Sequence, residues 1–230
     1  IKYYIINLEV KNRSVGMKDE ILGLESDFAN NEYFGTNVWT EEKYRVLSGK
    51  IPVLLSAPHS VNQLRGDDVR SAEKYTGALT RYLSSSTSSY AIFQLFTHAD
   101  PNMDVEHNYK NAIVNLIESY GIKLLIDIHS SNFSDDSDMD VVTNQKTTLC
   151  GFDDIPEKIK KIGLKYDVKV DENNVPNKNP ENEIIAVSSL ICGIPSIRIV
   201  INDKKLDVLS NNNKFENICK VLEEFITSFN

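Results

Sequence analysis

The chain predicts an α/β fold, and two observations carry that expectation. Apolar runs of strand length alternate with stretches of helical period. Several of those runs are apolar on both faces, as the central strands of a parallel sheet must be.

The elements follow in order. Residues 1–50 read as irregular. Strands are expected at 51–57 ("IPVLLSA"), 90–96 ("YAIFQLF"), 122–128 ("IKLLIDI") and 195–201 ("PSIRIVI"). Between the first two, Ala72, Tyr75, Leu79 and Tyr82 repeat at helical spacing, with Glu73 in the first turn. A second helix runs from 107, with Tyr109, Ala112, Ile113, Leu116, Ile117 and Tyr120 on one face, Asp104 as a candidate cap and Gly121 as its stop. Further helices are expected over 156–166, 183–192 and 214–229. The polar stretches 130–140 and 171–183 read as long loops, which often border functional sites.

Bulk composition narrows the function classes. A chain of 230 residues and 26.0 kDa fits a single domain spanning 1–230. Its 41% hydrophobic and 25% charged residues suit a soluble globular protein, and no apolar run is long enough to span a membrane. A net charge of -8 disfavours a nonspecific nucleic-acid surface. Cys150, Cys192 and Cys219 form no CxxC pair, and the opening "IKYYIINLEV" lacks the pattern of a secretory signal, so a reducing cytoplasm is expected. Oligomeric state leaves no trace in the sequence.

The chemistry concentrates at strand ends, where ligands gather in open α/β sheets. "VLLSAPH" closes on His59 and "LLIDIH" on His129, which brings two residues distant in sequence to one sheet edge. Two histidines and a carboxylate suit zinc, which commonly takes three protein ligands in hydrolytic sites and leaves a fourth position for water. Glu73 is the third candidate. The alternative is that the histidines cap strands while Glu73 favours a helix N-terminus. Asp127, two residues before His129, projects to the same side and can orient a ligand or act on a water. It can equally be a buried carboxylate held by backbone amides. His98 and His107 end no apolar strand and read as surface residues.

Arg65, Arg70 and Arg198 are candidates for binding a substrate carboxylate through the guanidinium fork. Arg198 interrupts the apolar run "SIRIVI", which makes it the most suggestive; ion pairing is the alternative for each. Other chemistries lack their motifs. Neither GxGxxG nor GxxxxGK(S/T) is present, and no GxSxG elbow accompanies Ser130.

"APHS", "EKYTGALTRYL", "DPNMD" and "LLIDIHSS" resemble the N-formylglutamate amidohydrolase family over residues 50–205. That family is related to the zinc carboxypeptidases. The resemblance implies a three-layer α/β/α sandwich around a mixed, mostly parallel sheet, with one catalytic zinc at its edge. By the same resemblance His59, Glu73 and His129 match the zinc ligands, and the substrate is a small acidic N-acyl amino acid or amide. Two departures stand out. Thirteen residues, Ser60 to Ala72, separate His59 from Glu73, whereas these ligands are near neighbours in the carboxypeptidases. In "GIPSIRIVIN", Val200 occupies the place of a strand glutamate that serves the related peptidases as general base. Asp127, Glu183 and Asp203 are the candidate substitutes, Asp127 first. A noncatalytic metal- or ligand-binding descendant is the alternative function, and a scaffold without metal is a third.

Overall fold

The structure, a computed structural model, describes residues 16–35, 44–65, 68–97, 99–133, 137–173 and 179–229. Its centre is a mixed seven-stranded sheet built from β1 (Tyr44–Leu47), β2 (Ile51–Ala57), β5 (Ser89–Gln94), β6 (Leu124–Ser131), β7 (Met139–Val142), β8 (Val170–Glu172) and β9 (Ser196–Asn202). The order is β1-β5-β2-β6-β9-β7-β8. Pairing is parallel from β5 through β2 and β6 to β9 and again between β7 and β8; the β1–β5 and β9–β7 pairs are antiparallel. β3 (Gln63–Arg65) and β4 (Asp68–Arg70) form a separate hairpin.

Helices cover both faces. On one side lie α1 (Met17–Ala29), α2 (Thr76–Thr87), α4 (Ile155–Lys165) and α7 (Asn212–Thr227), packed on Val53, Leu55, Ile126, Ile128, Ile199 and their neighbours. On the other lie α3 (Asn108–Tyr120) and α5 (Ile184–Cys192), packed on Leu54, Ile92 and Leu125. The very short α6 (Asp203–Leu206) follows β9. The three-layer sandwich expected from the sequence is the one the chain adopts.

The four expected strands all form, because each is largely buried on both faces and rich in β-branched and aliphatic residues. Gly121 stops α3 in the left-handed conformation (φ 62°), its amide donating to the Ile117 carbonyl. The N-terminal cap of that helix is His107 and not Asp104: His107 Nδ1 accepts from the Tyr109 amide at 3.1 Å. Two further expectations need correcting. Within the stretch read as irregular, residues 17–29 form α1, and Glu73 lies ahead of α2, which begins at Thr76. Tyr75 caps α2 with φ 66°, a left-handed turn that ends the loop carrying Glu73. Among the described residues no helix is long and apolar enough to cross a membrane.

Candidate metal centre

β2 and β6 are adjacent and parallel, with Ser56 beside Asp127, so their C-terminal ends open on the same edge. His59 sits in the turn that leaves β2, and His129 is still within β6. The Ser60 hydroxyl locks that turn by bonding the carbonyls of Ala57 (3.1 Å) and Gln94 (2.7 Å). The two imidazoles meet edge to face, with centroids 4.7 Å apart.

Glu73 reaches this pair through the hairpin. The thirteen residues between His59 and Glu73 hold β3 and β4, and the chain returns so that the Glu73 amide donates to the His59 carbonyl at 2.9 Å. Glu73 Oε1 then lies 2.7 Å from His59 Nδ1, and Oε2 lies 3.1 Å from His129 Nδ1. The Ser130 amide donates to Oε2 at 2.8 Å. Candidate ligand atoms of His59, Glu73 and His129 all fall within 4.8 Å of one another, a grouping able to hold a metal ion.

The far side of each ring is also occupied. His59 Nε2 contacts Asp100 Oδ1 at 2.9 Å, and His129 Nε2 contacts Asp127 Oδ2 at 2.8 Å. Carboxylates placed in this way fix the tautomer and turn the Nδ1 lone pairs toward one point, as ligand histidines require. Asp100 is itself fixed by the amides of Asn102 (3.0 Å) and Met103 (3.2 Å). Asp127 therefore stands behind His129, at 1% exposure. The sequence signal for Asp100 is the "DPN" turn in the loop that follows β5.

Electrostatics fit the same donor set. Burial opposes protonation of His129, but Glu73 and Asp127 outweigh it and push its pKa up to about 10. His59 shifts upward as well, against its burial, through Glu73 and Asp100. Burial acts to raise the Glu73 pKa, and the two histidines hold it well below the usual carboxylate range. In metal-free protein the proton on His129 occupies the place a cation takes, and metal uptake expels it. The His129 contribution to metal-free stability is full below its unfolded pKa of 6.5 and is lost as pH rises through about 10. Chelator-treated protein is therefore expected to melt at falling temperature between pH 7 and pH 10; a melting temperature that climbs over that range contradicts the assignment.

Other expected site residues fall elsewhere. Arg198 is 8% exposed and pairs with the buried Glu183, which Asn144 also contacts at 3.3 Å. A charged residue in an apolar strand here pairs with the N-cap residue of α5. Arg65 pairs through its backbone with Asp68 in the hairpin, and Arg70 is exposed on β4. The Arg65 side chain lies outside the described residues, and Arg70 does not line the groove over Glu73. His98 lies outside the described residues. Val200 sits beside His129 in the parallel register, and Asp140 sits beside Val200, so all three face the same side of the sheet. Asp140 is tied by Ser137 and Asn173.

A groove of about 630 Å³ opens over Glu73, which is 20% exposed. Its polar lining includes Lys74, Ser130, Asn132, Asp203, Lys204 and Asp207. Of the three carboxylates considered as substitutes for the strand glutamate, only Asp203 borders this groove.

No family model and no curated protein matches the sequence. The fold is shared with solved structures. The gene product Atu2144 from Agrobacterium tumefaciens superposes with a TM-score of 0.59 at 14% identity, covering 82% of this chain and 94% of that one. N-formylglutamate amidohydrolase from Ralstonia eutropha JMP134 gives 0.52 at 12% identity, covering 81% and 96%. A metallo-carboxypeptidase from Burkholderia cenocepacia gives 0.54 at 10% identity, covering 94% and 69%.

Proposed function

We propose that the protein is a zinc-dependent amidohydrolase of the N-formylglutamate amidohydrolase kind, cleaving the amide of a small acidic N-acyl amino acid. One observation carries this reading: His59, Glu73 and His129 converge while Asp100 and Asp127 tie back the opposite nitrogen of each histidine. Two neutral imidazoles and one carboxylate are a common donor set for hydrolytic zinc. A zinc ion held by them supplies Lewis acidity toward the scissile carbonyl and the attacking water.

The remaining roles belong to the groove. Asp203, exposed at the start of α6, borders the groove over Glu73 and is our candidate to take a proton from water and return it to the leaving amine. Lys74 and Lys204 line the same groove and serve the substrate carboxylate. A reducing cytoplasm is the setting this reading assumes.

A second reading is favoured by Val200. A glutamate at that position would share the face of His129, and valine cannot transfer a proton there. On that reading the chain keeps a metal or ligand site without turnover. Hydrolysis of a panel of N-formyl and N-acetyl amino acids separates the two. Turnover that is lost with chelator and restored by zinc supports the enzyme; binding without turnover supports the second reading.

A further inference from the structure

The apolar stripe of α1 is interrupted at its centre: its buried residues are Ile21, Glu25 and Phe28. Glu25 is 5% exposed, so a carboxylate stands where the helix meets the core. Burial raises its pKa against the bonds and the Lys74 charge that favour ionisation, so an apolar residue would suit the position better on packing alone. Its Oε1 accepts from the Tyr33 hydroxyl at 2.7 Å and from the Tyr75 amide at 2.9 Å.

Both contacts lead toward the candidate metal centre. Tyr75, with φ 66° and no side-chain cap of its own, lies two residues after Glu73. The Glu73 carbonyl accepts from both the amide and the hydroxyl of Thr76. The turn after α1 (residues 30–33) is folded back by positive φ at Asn31, Glu32 and Tyr33. It grips the other end of the hairpin: the Tyr33 and Glu32 carbonyls accept from the Asn62 amide (2.8 Å) and side chain (2.9 Å), and Asn62 Oδ1 accepts from the Ala72 amide (2.8 Å). Gly77 permits the close approach, since a Cβ there would meet the Phe28 ring at 2.6 Å.

We propose that Glu25 is a positioning residue for Glu73: bonded to the Tyr75 amide, it clamps the loop before α2 so that the Glu73 carboxylate stays between His59 and His129. The inference rests on the metal reading above but extends it to a helix that supplies none of the candidate ligands. It makes α1 part of the site's support.

Zinc affinity of wild type, Glu25→Ala and Glu25→Gln, by competition with a chromophoric chelator, is one arm of the test. Amide exchange of metal-free protein at Glu73 and Ser130 is the other, because the Ser130 amide bonds Glu73 Oε2 directly. Glu25→Ala is expected to weaken zinc binding at least about tenfold and to speed exchange at both amides, with α7 amides unchanged. Glu25→Gln retains an oxygen acceptor and should restore both. Wild-type zinc affinity and unchanged Ser130 protection in Glu25→Ala would overturn the proposal. If Glu25→Ala fails to fold, Glu25→Asp, which withdraws the carboxylate by one methylene, is read in the same way. A wild type that binds no zinc removes the metal reading, and the exchange arm still decides whether Glu25 positions Glu73.

Discussion

Arg198→Ala is expected to cost the fold about 3–5 kcal/mol, because it strands a buried carboxylate. Glu183 is 0% exposed, opens α5 and forms an ion pair with the Arg198 guanidinium. Removing the cation leaves that desolvated charge beneath β6 and β9, with Asn144 as a weaker neutral donor. The double variant Arg198→Met with Glu183→Gln should recover much of the loss, since it removes both charges and keeps an amide at the head of α5. Urea unfolding of the three proteins measures this through the midpoint at constant m-value. A single variant with wild-type stability and a raised KM would return Arg198 to the substrate-binding role that its sequence position suggested.

Asp203→Asn is expected to lower kcat by about 10²–10⁴-fold, the usual contribution of a positioned general base. KM should change little, because asparagine keeps the size of the side chain. Val200→Glu in that background should recover part of the loss, since residue 200 lies beside His129 on the same face of the sheet. The pair of variants separates loss of the base from loss of the fold. Full activity in Asp203→Asn would exclude Asp203, and inactivity of wild type together with activity in Val200→Glu would identify a site that has lost only its base.

How much of this was legible depends on how local each signal is. β2, β5, β6 and β9 are apolar on both faces, which no alternative local structure explains, and they were readable. β7 and β8 are short, and the segments "MDVV" and "VDE" carry acidic residues whose pairing comes from neighbouring strands. α1 was hidden because Glu25 breaks its apolar stripe. At the site, His59 and His129 declared themselves by ending strands. Glu73 was identified as their partner but misplaced in a helix, because the Tyr75 turn that ends its loop is dictated by a contact from α1. The ion-pair partner of Arg198 was hidden for the same reason: Glu183 lies fifteen residues earlier, in another layer. Tertiary pairing of charges leaves no periodicity to read.

The central claim is that His59, Glu73 and His129 hold one metal ion. Elemental mass spectrometry of wild type and His129→Ala, purified in parallel without chelator and then supplied with zinc, tests it most directly. About one zinc per wild-type chain and none in the folded variant is the predicted result. Equal zinc in both proteins, or none in wild type after zinc is supplied, would contradict it.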